Sequence, residues 1–187
     1  MATLTTQAAP LTLEEFVRLP GSEQMELHDG VPVEKEPMAW RERITQNKVG
    51  RFLDEAQEDR PIGVVGVEGL IKIDPDNPRR GRRPDVSFFT FERLGDRELT
   101  DDWFDVCPDL CVEVVSPTDT AFDVDRKIAG YLAAGARLVW EVQPEARAVV
   151  VHRPDRTTYR VEADADLTAE DVLPAFRVPV SRLFPPA

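Results

Sequence analysis

The sequence predicts an α/β fold, a mixed central β-sheet flanked by helices and opened by an N-terminal helix and hairpin. Three observations carry that reading. Leu110 to Val115 is a short apolar run rich in β-branched residues, the pattern of a strand covered on both faces. A polar turn and a helix from Phe122 to Ala134 follow it, with Val124, Ile128, Tyr131 and Leu132 as the apolar stripe. Hairpin signals lie towards both ends of the chain, and strand–helix order between them puts helices on the faces of the sheet.

Taken in order, residues 1–10 are small and polar and are expected to form a flexible tail, with one domain over 11–187. The tail has neither the basic start nor the apolar segment of a secretory signal. At Leu11-Thr12-Leu13-Glu14-Glu15-Phe16, Thr12 can cap a helix while Glu15 closes a capping box, and Pro20-Gly21 stops it. Met25 to Val33 alternates around Asp29-Gly30, a two-residue hairpin signal that leaves Glu26 and His28 on one face. Trp40 to Glu58 reads as the longest helix, with Ile44, Val49, Phe52, Leu53 and Ala56 inward. Short strands are expected at Gly63 to Val67 and Leu70 to Ile73, with Glu68 between them, and another begins after Asp85. Phe91 to Asp105 reads as an irregular acidic excursion. Thr120 caps the helix that follows and Gly135 ends it. Leu138 to Val142 is the next strand. Ala146 to His152 and Thr157 to Val161 form an edge hairpin, and the tail from Asp171 is expected to pack as a short cap.

A length of 187 residues fits one domain with a real core. No run of about 18 apolar residues exists, which argues against a membrane span. The two cysteines, Cys107 and Cys111, lack the neighbours a zinc site needs and read as free thiols in a reducing cytoplasm. There is no internal repeat, glycine-rich phosphate loop or Ser-His-Asp arrangement. The net charge of −12 counts against a protein that simply coats nucleic acid.

Two charges stand where the pattern calls for apolar residues. Glu113 interrupts the central strand, and Lys127 falls within the apolar stripe of the next helix. Buried charges are costly unless they are paired or coordinate an ion, so a structural ion pair accounts for these two alone. Asp85, at the entrance of the strand Val86-Ser87-Phe88-Phe89, adds a third charge. Two acids from two buried strands plus a lysine meet the needs of a divalent cation and a polarised water. Arg79, Arg80, Arg82 and Arg83 cluster just before Asp85. Alone they read as a solvated turn; beside a metal site the cluster would form a phosphate clamp.

Pro84-Asp85 followed by Glu113 in Val-Glu-Val resembles the PD-(D/E)xK nuclease superfamily, the restriction-endonuclease-like fold. Its lysine normally stands two residues after the second acid, where this chain has Val115; Lys127 fits a lysine migrated to the following helix. Glu26-Leu27-His28-Asp29-Gly30, Arg83-Pro84-Asp85-Val86, Val112-Glu113-Val114-Val115-Ser116-Pro117, Lys127-x-x-x-Tyr131-x-x-x-Gly135 and Arg137-Leu138-Val139-Trp140 together resemble the Uma family of restriction-endonuclease-like proteins. The resemblance runs on to Asp171-Val172-Leu173-Pro174-Ala175-Phe176. It departs at Arg41, where the family usually has a histidine.

The resemblance implies a Mg²⁺- or Mn²⁺-dependent endonuclease acting on DNA. It makes Asp85, Glu113 and the Val114 carbonyl the metal ligands, Lys127 the catalytic lysine and Glu26 a third acid. Arg41, Arg82 and Arg83 would face substrate, and a homodimer would suit the cutting of two strands. The competing expectation is a nuclease fold kept as a non-catalytic binding or assembly module; a metal-dependent hydrolase of another substrate is the third.

Overall fold

The computed structural model describes residues 9–98, 102–170 and 172–186. Most of the expected tail, residues 1–8, lies outside them, as do 99–101 of the acidic excursion and Asp171. Helix α1 (Leu13–Phe16) starts on the expected capping box, with the Thr12 N–H donating to Glu15 Oε2 at 2.8 Å. Strands β1 (Met25–His28) and β2 (Val31–Glu34) turn at Asp29 and Gly30, both at positive φ, as a two-residue hairpin requires.

Helix α2 (Trp40–Glu55) stops short of the expected Glu58. Its inward face also differs from the expected stripe. Glu42, Thr45 and Gln46 are buried beside Val49, Phe52 and Leu53, while Ile44 is 36% exposed. The first half of this helix therefore packs a polar face, to which an apolar-period search is blind.

The chain continues through β3 (Gly63–Val67), β4 (Ile71–Lys72), β5 (Gly81–Arg82), β6 (Val86–Thr90) and α3 (Phe91–Leu94). After β7 (Leu110–Val114), helix α4 (Ala121–Ala133) leads to β8 (Leu138–Gln143). The hairpin β9 (Ala148–His152) and β10 (Thr158–Val161) follows, then β11 (Asp166–Ala169) and β12 (Leu173–Pro179). Two expectations change here. The acidic excursion opens with α3, and the C-terminal cap contains a strand, β12, paired antiparallel to β11.

The central sheet has six strands in the order β10-β9-β8-β7-β6-β3. Only β7 and β8 run parallel, and α4 is the crossover between them; every other neighbouring pair is antiparallel. The N-terminal hairpin joins a separate four-stranded sheet, β2-β1-β5-β4. The fold is thus the mixed α/β architecture the sequence predicts.

Strand alternation divides the core. Val86, Phe88, Val112, Val114, Trp140 and Val142 pack against α2 and the β11–β12 hairpin. Phe89, Cys111 and Val139 pack on the opposite side with Val124, Ile128 and Tyr131 of α4. Both cysteines are free and buried there. Asp85 and Glu113 share parity with this second set, so their side chains belong on the α4 side of the sheet. Among the described residues no helix is long and apolar enough to cross a membrane.

Candidate active site

The pairing of β6 with β7 sets the first two acids. Val86 stands opposite Val112 and Ser87 opposite Cys111; extending that register by one pair sets Asp85 opposite Glu113. Both are nearly sealed, at 5% and 4% exposure. Asp85 Oδ2 accepts the Val114 N–H at 2.7 Å, which ties one acid to the strand carrying the other.

Helix α4 supplies the partners of Glu113. Lys127 Nζ donates to Glu113 Oε2 at 2.7 Å, and the Tyr131 hydroxyl donates to Oε1 at 2.6 Å. Lys127 and Tyr131 are one helical turn apart, so a single helix face holds both carboxylate oxygens. The spacing Lys-x-x-x-Tyr was visible in the sequence; the tyrosine's polar end was not, because its ring also fills the core.

Glu26 arrives from β1. Its Oε1 accepts the Arg83 N–H at 2.9 Å, and its Oε2 accepts Arg82 Nη1 at 2.7 Å. His28 Nε2 lies 3.0 Å from the same Oε2 and also contacts Arg82. Sequence alternation puts Glu26 and His28 on one face but assigns the histidine no partner. It is a partner of the third acid.

Lys35, just past β2, is a cavity residue absent from the sequence reading. Its Nζ lies 3.2 Å from Asp85 Oδ1 and 3.1 Å from the Arg83 carbonyl oxygen. No periodic signal marks it, since it follows an exposed edge strand and reaches the site only through the tertiary fold.

Glu26, Lys35, Arg82, Asp85, Glu113 and Lys127 line one cavity of about 350 Å³, and His28 and Val114 reach it too. The other expected substrate contacts are elsewhere. Arg83 is buried and donates to the carbonyls of Met25, Glu68 and Ser22, so it clamps the two hairpin segments together and does not line the cavity. Arg41 is exposed, pairs with Glu145 and does not line the cavity either. Glu68 is held by Gln46 at 3.2 Å, away from the cavity lining. Arg80 pairs with Asp29 and Asp74 at the surface. Successive residues of an extended segment point to opposite sides, and that alone separates Arg82 from Arg83.

The electrostatics are those of crowded, buried acids. Burial, then the charges of Asp85 and Glu26, push the Glu113 carboxyl up to about 7 against the pull of Lys127. Burial also raises Asp85, against Lys35 and the Val114 N–H. For Glu26, burial is outweighed by the His28 hydrogen bond and the Arg82 and Lys127 charges, which hold it well below the usual carboxylate range. Burial opposes the charge on Lys127, but Glu113 and Glu26 overcome it and hold the ammonium above the ordinary lysine value.

Whether this donor set suits a cation follows from its chemistry. Among the described residues no group of three or more His, Cys, Asp or Glu side chains is arranged to hold a metal ion. Asp85 and Glu113 remain a pair of hard oxygen donors on adjacent strands, opening on a polar cavity. Such a sparse set suits Mg²⁺, which keeps several waters and takes one or two carboxylates with substrate oxygens.

Comparison with known proteins bears on family and fold. The profile of the Uma2 family, described as "Putative restriction endonuclease", matches residues 13–181. A crystal structure of a "putative nuclease belonging to DUF820" from Anabaena variabilis ATCC 29413 superposes with a TM-score of 0.80. The two sequences are 22% identical over 93% of this chain and 97% of that one, a likeness that speaks for the fold alone. A search of curated proteins found no match. With its ordered motifs, its mixed sheet and a profile match over most of its length, the chain belongs to the Uma2 family.

Proposed function

We propose that this chain is a metal-dependent nuclease that hydrolyses phosphodiester bonds in DNA at the Asp85–Glu113 pair. The observation that carries the reading is the extension of the β6–β7 register, which sets the two acids opposite each other with Lys127 on the second. Asp85 and Glu113 would hold Mg²⁺ or Mn²⁺, with the Val114 carbonyl as a further oxygen donor. A cation bound there supplies a more acidic water and neutralises charge at the scissile phosphate.

The protein's own groups divide the remaining work. Lys127 keeps its proton and sets a fixed positive charge where negative charge develops on the phosphate. Tyr131 fixes the other oxygen of the Glu113 carboxylate. Glu26 supports the cationic wall by orienting Arg82 and His28, and Arg82 faces the cavity as an anion contact. Hydrolysis forms a P–O bond from water and breaks the ester P–O bond, the leaving oxygen taking up a proton. Two copies would serve the two strands of a duplex.

A second reading, a non-catalytic binding or assembly module, is favoured by one observation: each acid already has a cationic partner within the protein. Plasmid nicking with Mg²⁺ or Mn²⁺ separates the two. Wild type should nick, and Asp85→Ala and Glu113→Ala should each abolish nicking while staying folded. Absence of nicking by folded, metal-bound wild type would favour the module, and unchanged activity in either variant would remove the acid pair from the mechanism.

A further inference from the structure

The proposed reaction leaves Lys35 without a task, although its ammonium sits on one of the two acids. The two oxygens of Asp85 are held differently. Oδ2 accepts a strand N–H at 2.7 Å, while Oδ1 faces Lys35 Nζ at 3.2 Å. The backbone of Val114 cannot leave the strand, but a lysine side chain can rotate away. The Lys35 N–H is pinned to the Gln24 carbonyl at 2.9 Å, so such a rotation would leave the backbone in place.

Lys127 is placed otherwise. It belongs to α4, lies 2.7 Å from Glu113, and shares that carboxylate with Tyr131. Of the two lysines, only Lys35 comes from a segment that is neither helix nor strand, and residues 35–38 of that segment line the cavity. A divalent cation on Asp85 Oδ1 and an ammonium at the same oxygen repel each other strongly in a site this buried. Asp85 therefore has room for one of them.

We infer that Lys35 is a resident counter-ion: it neutralises Asp85 while no divalent cation is bound and swings off Oδ1 when one arrives. The exchange makes the site selective. A monovalent ion offers Asp85 no more charge than the ammonium it would displace, whereas Mg²⁺ or Mn²⁺ offers twice as much. The inference rests on the metal site of the proposed function and concerns binding, not turnover.

Mn²⁺ alone, titrated calorimetrically into the full chain, tests it. Lys35→Met should bind Mn²⁺ about tenfold more tightly than wild type, since the competitor is gone. A merely structural lysine predicts weaker binding, because Asp85 would lose its support; unchanged or weaker binding by a folded variant overturns the inference. Should Lys35→Met fail to fold, wild type answers through its lysine side-chain NMR signals, of which there are only four. The Lys35 signal should shift as diamagnetic Mg²⁺ saturates the site, and a signal that stays put at saturation overturns the inference. Tighter Mn²⁺ binding in Lys35→Met with no plasmid nicking by wild type sustains the counter-ion and removes the nuclease. Nicking by wild type with unaltered Mn²⁺ affinity in the variant removes the counter-ion alone. A folded wild type that binds no Mn²⁺ overturns both.

Discussion

Glu113 and Glu26 share one cavity and respond to pH in opposite directions. Glu113 has its carboxyl raised from 4.5 to about 7, first by burial and then by its acidic neighbours. Between those values the folded chain keeps a proton that the unfolded chain has released, so the cation-free protein loses stability as pH rises through that window. Glu26 is lowered from 4.5, because His28 and Arg82 outweigh its burial. Its contribution is present above about pH 4.5 and is lost as pH falls below it. Urea unfolding in chelator, from about pH 2 to pH 8, should show Glu113→Gln flattening the profile between about pH 4.5 and 7 and Glu26→Gln flattening it below about pH 4.5. Profiles matching wild type would show that neither acid is coupled to folding. Tyr131→Phe should cost about 1–2 kcal/mol, because Glu113 Oε1 would lose its buried donor. Stability equal to wild type would mean that water replaces the hydroxyl.

At the scale of elements, the site depends on where strands end. The entrance of β6 carries Asp85, and the far end of β7 carries Glu113, so an antiparallel pair brings them together. The other end of this pair is fastened by Asp109. Its carboxylate accepts the Thr90 N–H at 2.9 Å and the Thr90 hydroxyl at 2.8 Å, and its Oδ1 accepts Arg93 Nε at 3.1 Å. Asp109 is 2% exposed, so removing it leaves the buried Thr90 N–H unpaired and takes the carboxylate from Arg93, which keeps the Gly135 carbonyl at 2.9 Å. Asp109→Ala should therefore destabilise the chain by ~3 kcal/mol, measured by denaturant unfolding. A loss below about 1 kcal/mol would mean that Arg93 and Thr90 find other partners.

The elements also show how far the sequence could be read. The hairpin at Asp29-Gly30, the central strand and the helix bearing Lys127 follow from turn chemistry and periodicity. The inner face of α2 does not, because Glu42, Thr45 and Gln46 are buried without an apolar period. Gln46 donates to the Asp85 carbonyl oxygen at 3.1 Å, a contact that only the packing of α2 on β6 creates. The arginine cluster was legible as a cluster but not as a set of roles: Arg80 pairs at the surface, Arg82 faces the cavity, and Arg83 clamps backbone carbonyls.

For the whole molecule, a net charge of −12 makes local positive charge decisive for any polyanion. The cavity wall holds Lys35, Arg82, Arg126 and Lys127, but also Glu34, Glu36, Asp119 and Asp123. A cation at Asp85 and Glu113 would tip that balance, which ties DNA affinity to metal in the proposed mechanism. It also ties stability to metal. Mn²⁺ at a hundredfold excess over its Kd should stabilise the fold by about 2.7 kcal/mol. That appears as a rise of several degrees in Tm, absent from the Asp85→Ala/Glu113→Ala double variant. An equal rise in both proteins would place the bound ion elsewhere.

The sequence by itself determined the α/β class, the main strands and helices, the family resemblance, and the acids and lysine that stand against the apolar pattern. Those signals are local: a turn needs particular residues, and a charge inside a buried period is conspicuous. Tertiary structure alone decided which charges meet. Lys35 reaches Asp85 across 50 residues, Arg82 reaches Glu26 across 56, and Arg41 turns instead to Glu145. Sheet register and helix packing set these partners; alternation along a strand fixes the face a side chain takes, but not which distant segment it meets there.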